Sequence, residues 1–294
     1  MNGSPTRRSE PLPSGPYLGL LAVVLLFVAL ISARGELGSF LRIRNLQALV
    51  NEATIPAIVA LGMLLIIVSG GIDLSVGSVV ALVTVVTMQT YRHLLTSTDS
   101  VPIASLVAVA AGVASGGLCG FTNGIVVTRL GIPPFVATLG MFGVARGIAV
   151  WLSGRTLVSF PMGGTPKWVG NLSEVHVKLI VFNPGFWSLV LLAIFTAVML
   201  RLTVLGRHVY AVGSNEATAR LCGIAVNRTK VIIYTLAGLL TGWAGVLMFA
   251  HGGSGDPSAG EGLELRHGRF DAHRGLIRAS AGSAEGSAVG VDSG

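Results

Sequence analysis

Three ionisable side chains, Glu52, Asp73 and Arg146, lie within long apolar stretches of the sequence. A charged group in apolar surroundings is costly, so such residues mark a solute pathway, a proton relay or a buried ion pair by default. Glu52 stands at the head of its stretch and is predicted to lie near its boundary. Arg146 is predicted to point into a helix bundle or to extend along its own helix.

Asp73 belongs to a polar break between two apolar stretches. Residues 69–78 read Ser-Gly-Gly-Ile-Asp-Leu-Ser-Val-Gly-Ser, and irregular backbone is tolerated at membrane depth only where protein buries it or a cavity adjoins it. Two roles are open for Asp73 and Ser75. Both side chains suit the N-cap of the helix that follows, and glycine-broken helices are also where transporters build solute sites.

A second polar cluster runs from Asn123 to Met141. Pro133 and Pro134 suit the first turn of a helix, where a missing N–H group costs nothing. Asn123 is predicted to hydrogen-bond across helices, with solute contact as the alternative. The candidates for a solute pathway are therefore Asp73, Ser75, Asn123, Phe135 and Thr138.

The polar loop over residues 203–230 contains a third feature, a short amphipathic helix predicted over 213–224. Suitable residues occupy its capping and dipole positions: Ser214 or Asn215 at the start, Glu216 in the first turn, Arg220 in the last turn and Gly223 at the end. A capped helix in such a loop either docks on another protein or lies along the membrane surface.

Several kinds of chemistry have no motif in the chain. There is no Gly-x4-Gly-Lys-Ser/Thr loop for ATP, no His-Glu-x-x-His, and no nucleophile–base arrangement. Cys119 and Cys222 show no metal-ligand spacing, and the six histidines are dispersed. We therefore expect neither an enzyme nor a cofactor-binding protein.

The composition identifies the surroundings of these residues. Only 11% of the 294 residues are charged, against about 25% in soluble domains, and the mean hydropathy is +0.75. The net charge of +7 comes from scattered Lys and Arg without a basic tract, so nucleic acid is not a predicted partner. We predict an all-α, polytopic transmembrane helical bundle with its helix break near 69–78.

A span needs about 20 apolar residues, and about seven runs approach that length: Tyr17–Ala33, Leu46–Ser69, Val76–Thr90, Val101–Val127, Phe135–Ser153, Phe186–Leu202 and Val231–Ala250. An uncleaved first helix is preferred to a signal peptide or twin-arginine signal, since no Ala-x-Ala site follows Ala33. Five basic residues between Arg201 and Lys230 favour a cytoplasmic loop there and a cytoplasmic N-terminal segment over residues 1–16.

Small residues form stripes on three of the predicted spans. Gly112, Gly116, Gly120 and Gly124 recur every four residues, and shorter stripes occur at Gly143/Gly147 and Gly238/Gly242. Such stripes let helix backbones approach closely in lipid, so we predict close helix packing at these faces.

The three motif segments, in this order and spacing, resemble the inner-membrane permease subunits of bacterial ribose/xylose-type sugar ABC transporters. They are 70–78 (GGIDLSVGS), 131–140 (GIPPFVATLG) and 206–224 with its GSN at 213–215. The resemblance extends from Leu46 to about Leu265. It implies a permease domain over 17–251 in the bacterial inner membrane, dimeric through a second permease copy and surrounded by membrane lipid.

The resemblance also implies a mechanism and partners. A monosaccharide arrives from a periplasmic sugar-binding protein, and cytoplasmic ABC ATPase subunits drive its import. The helix in the coupling loop 203–230 would engage the ATPase through Gly213, Asn215, Glu216, Ala219, Arg220 and Gly223. The alternative is a proton-coupled secondary carrier with Asp73 or Glu52 as relay.

The sequence departs from the family pattern near its end. After Leu265 it reads Arg-His-Gly-Arg-Phe-Asp and then a Gly/Ser/Ala-rich run, with no apolar stretch long enough to span a membrane after Ala250. We interpret this as a truncated or frameshifted reading frame and predict a disordered, Gly-rich tail over 252–294.

Overall fold

The computed structural model describes residues 14–160 except 36, 41, 98 and 99, then Pro166, Val169 and residues 182–260. Helices dominate this part of the chain, which confirms the all-α prediction. The helices are α1 (Ser14–Ala33), α2 (Leu37–Phe40), α3 (Ile43–Val68), α4 (Val76–Ser97), α5 (Val101–Arg129), α6 (Pro134–Ser153), α7 (Pro184–Leu202), α8 (Val204–Ser214), α9 (Glu216–Leu221) and α10 (Val226–Gly252). Two short strands, β1 (Val158–Ser159) and β2 (Ser254–Gly255), pair antiparallel.

The chain forms two compact units, residues 1–50 and residues 51–294. In the first unit, α1 is apolar around its whole circumference, as side chains such as Leu20, Val23 and Phe27 are exposed. A helix that is apolar on all sides is typical of a membrane span. Asn45 Nδ2 donates a 2.8 Å hydrogen bond to the carbonyl of Phe40, which fastens α2 to the start of α3.

Five described helices are long and apolar enough to cross a membrane: most of α3 (Asn45–Val68), α5, α6, α7 and α10. The predicted number of seven is not confirmed. The apolar part of α1, Leu18–Ala33, is shorter than these five. Helix α4 has 22 residues, but Gln89, Arg92 and His93 make its last third polar.

Helices α5 and α10 approach each other through their glycines, as the stripe on α5 predicts. A Cβ atom on Gly116 would lie 2.6 Å from the carbonyl oxygen of Gly238 and 2.7 Å from Cα of Gly242. A Cβ atom on Gly120 would overlap the carbonyl oxygen of Tyr234. Only glycine fits at such backbone contacts.

The stripe on α6 behaves differently. Among the described residues, no atom lies within 4 Å of a Cβ built on Gly143 or Gly147. The close packing predicted at this face is therefore not observed within the described part of the chain.

Helix α4 lies at the centre of the second unit, with every side chain from Ser78 to Val85 buried. The segment that follows α10 folds back onto it. Thr84 Oγ1 accepts a 3.1 Å hydrogen bond from the N–H of Asp256, and a Cβ on Gly77 would lie 2.6 Å from the carbonyl oxygen of Gly260. Residues 252–260 of the predicted tail are thus packed, while 261–294 lie outside the described residues.

The second unit has two distinct ends. At the strand end, β1 and β2 pair, Tyr91 packs edge-on against Phe160 with ring centroids 5.4 Å apart, and Phe160 also packs against Phe249. At the loop end lie the break after α3, the α5–α6 turn and helices α8 and α9. Both polar motif segments and the loop helix are therefore brought together at the loop end.

Candidate functional site

The break between α3 and α4 is a short non-helical segment. Helix α3 ends with the N–H of Gly71 donating a 2.9 Å hydrogen bond to the carbonyl of Ile66, and Gly70 has a φ of +82°, which favours glycine. Residues 71–75 are not helical, and burial alternates along them. Gly71, Asp73 and Ser75 are buried, whereas Ile72 and Leu74 are exposed.

Asp73 and Ser75 form a tight turn at the start of α4. Asp73 Oδ1 accepts hydrogen bonds from the N–H of Ser75 at 2.7 Å and from its hydroxyl at 2.6 Å. The Ser75 carbonyl accepts the N–H of Val79 at 2.9 Å, which places Ser75 at the N-cap position. The sequence leaves a capping role and a solute-site role open for Asp73. These contacts are those of the capping role, because Asp73 closes an Asx-turn that initiates α4.

Two neighbouring helices bind the break through polar side chains. Asn123 of α5 is buried and donates a 3.1 Å hydrogen bond to Ser75 Oγ, which confirms its predicted bond across helices. Thr138 Oγ1 of α6 accepts the N–H of Leu74 at 3.1 Å. The break is therefore fixed by two helices, and its polar residues Asp73 and Ser75 are buried in protein, as is expected of irregular backbone at membrane depth.

Phe135 is the one predicted pathway residue that the structure places elsewhere. Its side chain is 50% exposed on the outer face of α6, and its backbone carbonyl accepts the Thr138 hydroxyl at 3.2 Å. Thr138, about one helical turn further along α6, is fully buried instead. We define the polar cluster as Asp73, Ser75, Asn123 and Thr138.

A cavity adjoins the polar cluster, but it holds only about 10 Å³. That is about the room for one water molecule. Its wall includes Asp73, Asn123, Gly120, Gly238 and Thr241. The bundle is thus closed to a sugar-sized solute at this level.

Two interior groups near the break were not predicted from the sequence as parts of the site. The Tyr234 hydroxyl is buried and has no hydrogen-bond partner within the part of the chain that the structure describes. A Cβ on Gly71 would lie 2.5 Å from this hydroxyl. No local signal marks Tyr234, because it is one aromatic residue within an apolar span.

The second of these groups is Arg146, which points into the bundle interior. Its Nη1 donates hydrogen bonds to the carbonyls of Pro257 at 2.6 Å and Ala259 at 3.1 Å, and its guanidinium lies 5.7 Å from the centre of the Phe142 ring. Arg146 therefore holds the returning segment 256–260. The partners are backbone carbonyls more than a hundred residues away, which a sequence motif does not encode.

The returning segment repeats the local geometry of the break. Asp256 Oδ1 accepts the N–H of Ser258 at 2.8 Å and its hydroxyl at 2.7 Å, as Asp73 does with Ser75. Both segments read Asp-x-Ser-x-Gly, and their glycines, Gly77 and Gly260, lie against each other.

At the loop end, the predicted short helix is α9, which is shorter than 213–224 because residues 213 and 214 belong to α8. Helix α8 ends at Ser214, and Asn215 then caps α9, its Oδ1 accepting the N–H of Thr218 at 2.9 Å. Gly223 has a φ of +79°, which confirms its left-handed position. Asn215 separates α8 from α9 because its own backbone is extended.

Glu216 joins α9 to α10. It accepts hydrogen bonds from Arg220 Nη2 at 2.7 Å and from Lys230 Nζ at 2.5 Å. The Lys230 hydrogen bond, followed by the Arg220 hydrogen bond and the charges of both groups, lowers the pKa of the Glu216 carboxyl against a smaller opposing effect of burial. The carboxylate is thus ionised and fixed between the two helices.

Two of the predicted coupling residues are engaged in internal packing. Ala219 is buried in a small cluster with Val212 and Val226, and a Cβ on Gly213 would overlap the carbonyl oxygen of Val68. The exposed residues of α9 are Ala217, Thr218, Arg220 and Leu221, of which Leu221 is 89% exposed, while Glu216 is half-buried beside Lys230.

A bundle of long apolar helices with a buried polar break and a capped loop helix defines a multi-pass membrane permease. The family described as "Branched-chain amino acid transport system / permease component" matches residues 45–267, and the chain belongs to this family.

The chain is similar to several import permeases. It is 35% identical over 254 residues to the ribose import permease protein RbsC of Escherichia coli (strain K12), covering 83% of this chain and 73% of that protein. It is 34% identical to the L-arabinose ABC transporter permease protein AraH of Azospirillum brasilense, with 84% and 68% covered. It is 32% identical to the fructose import permease protein FruG of Bifidobacterium longum, with 84% and 71% covered. No solved structure matches the chain.

Proposed function

We propose that this chain is the membrane-spanning subunit of an ABC importer that carries a monosaccharide across the bacterial inner membrane. Its similarity to import permeases for ribose, L-arabinose and fructose carries this proposal. The chain itself performs no covalent chemistry. ATP hydrolysis in cytoplasmic partner subunits drives transport, a periplasmic binding protein delivers the sugar, and a second permease copy completes the channel.

Helix α9 is the part of the chain that couples ATP hydrolysis to transport. Its exposed surface offers the Arg220 guanidinium and the side chain of Leu221 to a partner. Its inner surface is tied to α10 through Lys230, so a displacement of α9 moves α10 directly. Gly213 and Ala219 contribute by holding α9 against the bundle, while Asn215 and Gly223 define its ends.

The polar cluster is the part of the chain that we assign to the solute pathway. Asp73, Ser75, Asn123 and Thr138 supply the donors and acceptors that sugar hydroxyls require. In the present conformation these groups satisfy one another, and the adjoining cavity accommodates about one water molecule. Transport therefore requires α4, α5 and α6 to separate at the break. Phe135 is half-exposed and lies outside the polar cluster.

Uptake in proteoliposomes tests this function. The chain is reconstituted with its ATPase and binding protein, and uptake of labelled ribose, arabinose and fructose is measured with ATP inside the vesicles. We expect uptake of at least one sugar that requires ATP and persists when a protonophore collapses the proton gradient. Uptake that needs the proton gradient and proceeds without ATP would establish a secondary carrier instead.

A further inference from the structure

A second cavity, of about 230 Å³, lies at the loop end of the bundle. It is separate from the polar cluster and opens between the α5–α6 turn and the chain that links α9 to α10. Thr128, Gly131 and Pro133 line it on the side of the α5–α6 turn. Glu216, Arg220 and Lys230 line it on the side of α9 and α10. The cavity shares Glu216 and Arg220 with α9, and its lining contains no residue of the polar cluster.

The charged groups at this cavity carry a net positive charge. Arg220 and Lys230 contribute two positive charges, and the ionised Glu216 contributes one negative charge. Within the described part of the chain, Lys230 gives one of its three hydrogens to Glu216, and Arg220 binds only through Nη2, to Glu216 and to Asn227. Two ammonium hydrogens and the Nε and Nη1 groups of the guanidinium therefore remain available to a ligand.

Two helices begin at the wall of this cavity. Helix α6 starts at Pro134 and helix α10 at Val226, and neither receives a side-chain hydrogen bond at its N-cap. Val136 of α6 and Val226 of α10 donate their N–H groups to the carbonyls of Pro133 and Ile224, so the first-turn N–H groups without a helical acceptor belong to Phe135, Asn227 and Arg228. The positive ends of both helix dipoles add to the charge of the two cations and favour an anion.

We propose that this cavity binds a phosphate group, held between Lys230 and Arg220. The donors belong to α9 and α10, so a phosphate, which offers several acceptor oxygens, can accept from both at once. The cavity lies at the ends of the membrane-spanning helices α5, α6 and α10, where lipid headgroups are found, and basic pockets between such helices bind anionic headgroups. The same chemistry also accepts a free phosphate compound.

A bound phosphate would lie beside the Glu216–Lys230 pair, the link between the coupling helix and the bundle. The site would therefore influence how firmly α9 is attached to α10. Binding of the phosphate does not depend on the ATPase, so it is measured on the isolated full chain. Failure of this proposal leaves the proposed transport function untouched, and the reverse also holds.

The test uses purified full chain in a neutral detergent with three probes. Inorganic phosphate represents the soluble source, short-chain phosphatidylglycerol the lipid source, and short-chain phosphatidylcholine the zwitterionic control. We expect at least one of the first two to bind, with an affinity about tenfold lower or more in Arg220→Gln and in Lys230→Gln. Arg228→Gln is the matched control, because it removes the same charge from the first turn of α10 outside the cavity lining.

A second measurement needs no variant. Lys230 is 17% exposed, so its reductive methylation is followed in the unmodified protein, with Lys167 and Lys178 as internal references. We expect the binding probe to slow methylation of Lys230 selectively. Protection by phosphatidylglycerol alone assigns the site to a lipid, and protection by inorganic phosphate alone assigns it to a soluble compound. Equal methylation with and without both probes, or equal loss of binding in Arg228→Gln, would overturn the proposal.

Discussion

The Asn123 amide donates a 3.1 Å hydrogen bond to the hydroxyl of Ser75, joining the interior of α5 to the break that precedes α4. Ser75 in turn gives both its N–H and its hydroxyl hydrogen to Asp73. Three polar residues from two segments thus satisfy one another in an apolar bundle, where an unpaired polar group would be costly. The stability of the break and its suitability for a solute therefore depend on the same groups.

Removing the acceptor at Asp73 tests the turn. We expect Asp73→Ala to lower the free energy of unfolding by about 1 to 2 kcal/mol, because the Ser75 N–H and hydroxyl lose their partner. Asp73→Asn keeps an oxygen acceptor and should retain more of the stability. Thermal unfolding in detergent measures both variants. Equal stability of wild type and Asp73→Ala would show that the turn does not need this carboxylate.

Glycine substitutions test the approach of α5 and α10. Gly120→Ala places a methyl group against the carbonyl of Tyr234, so we expect a lower melting temperature and reduced yield of folded protein. Gly143→Ala on α6 is the control, since no described atom lies within 4 Å of the added carbon. Alanine favours a helix over glycine by about 1 kcal/mol, so the control should be neutral or stabilising. An equal change in melting temperature in both variants would contradict the close contact between α5 and α10.

Replacing Arg146 tests the attachment of the returning segment. Arg146→Met keeps the aliphatic stem and removes the donors to the carbonyls of Pro257 and Ala259. We expect a cysteine introduced by Ser258→Cys to react with a maleimide at least several-fold faster in this background. Arg129→Met serves as the control, as Arg129 belongs to the last turn of α5. Unchanged reactivity in Arg146→Met would show that other contacts hold the segment.

The Glu216–Lys230 pair predicts a pH dependence. Lys230 lowers the pKa of Glu216 in the folded chain, so the pair stabilises the fold above the ordinary glutamate pKa. This contribution is lost as the pH falls through the lowered pKa of the folded state. Melting temperatures of wild type and Glu216→Gln should therefore differ at neutral pH. They should converge only at a pH below the ordinary glutamate pKa. Convergence already near pH 5 would contradict the assigned pairing.

Local features of the sequence predict much of this structure. The Asn215 cap, the Gly223 ending, the start of α6 at Pro134 and the bond from Asn123 follow from residue type and position. Helix glycines predict close packing on α5 and α10, because a four-residue repeat identifies one face. The repeat does not show which helix packs against each face. The stripe on α6, for example, contacts nothing in the described chain.

Contacts between distant segments account for what the sequence does not reveal. Arg146 binds backbone carbonyls of residues 257 and 259, and carbonyls carry no sequence signature. The link from Glu216 to Lys230 spans 14 residues and depends on how α10 leaves the loop. Phe135 and Thr138 share a motif and lie about one turn apart on α6, yet Thr138 is buried and Phe135 is half-exposed, which only the packing of that helix decides.

Coupling by α9 is the central claim of this account. Its most direct test replaces residues 216–220 with a Gly/Ser sequence in the reconstituted complex with the ATPase and binding protein. ATP hydrolysis and sugar uptake are then measured in the same proteoliposomes, with Arg228→Gln as a control for charge. We predict that uptake per ATP hydrolysed falls at least tenfold while the chain remains folded and in the membrane. An unchanged ratio of uptake to hydrolysis would exclude α9 from the coupling mechanism.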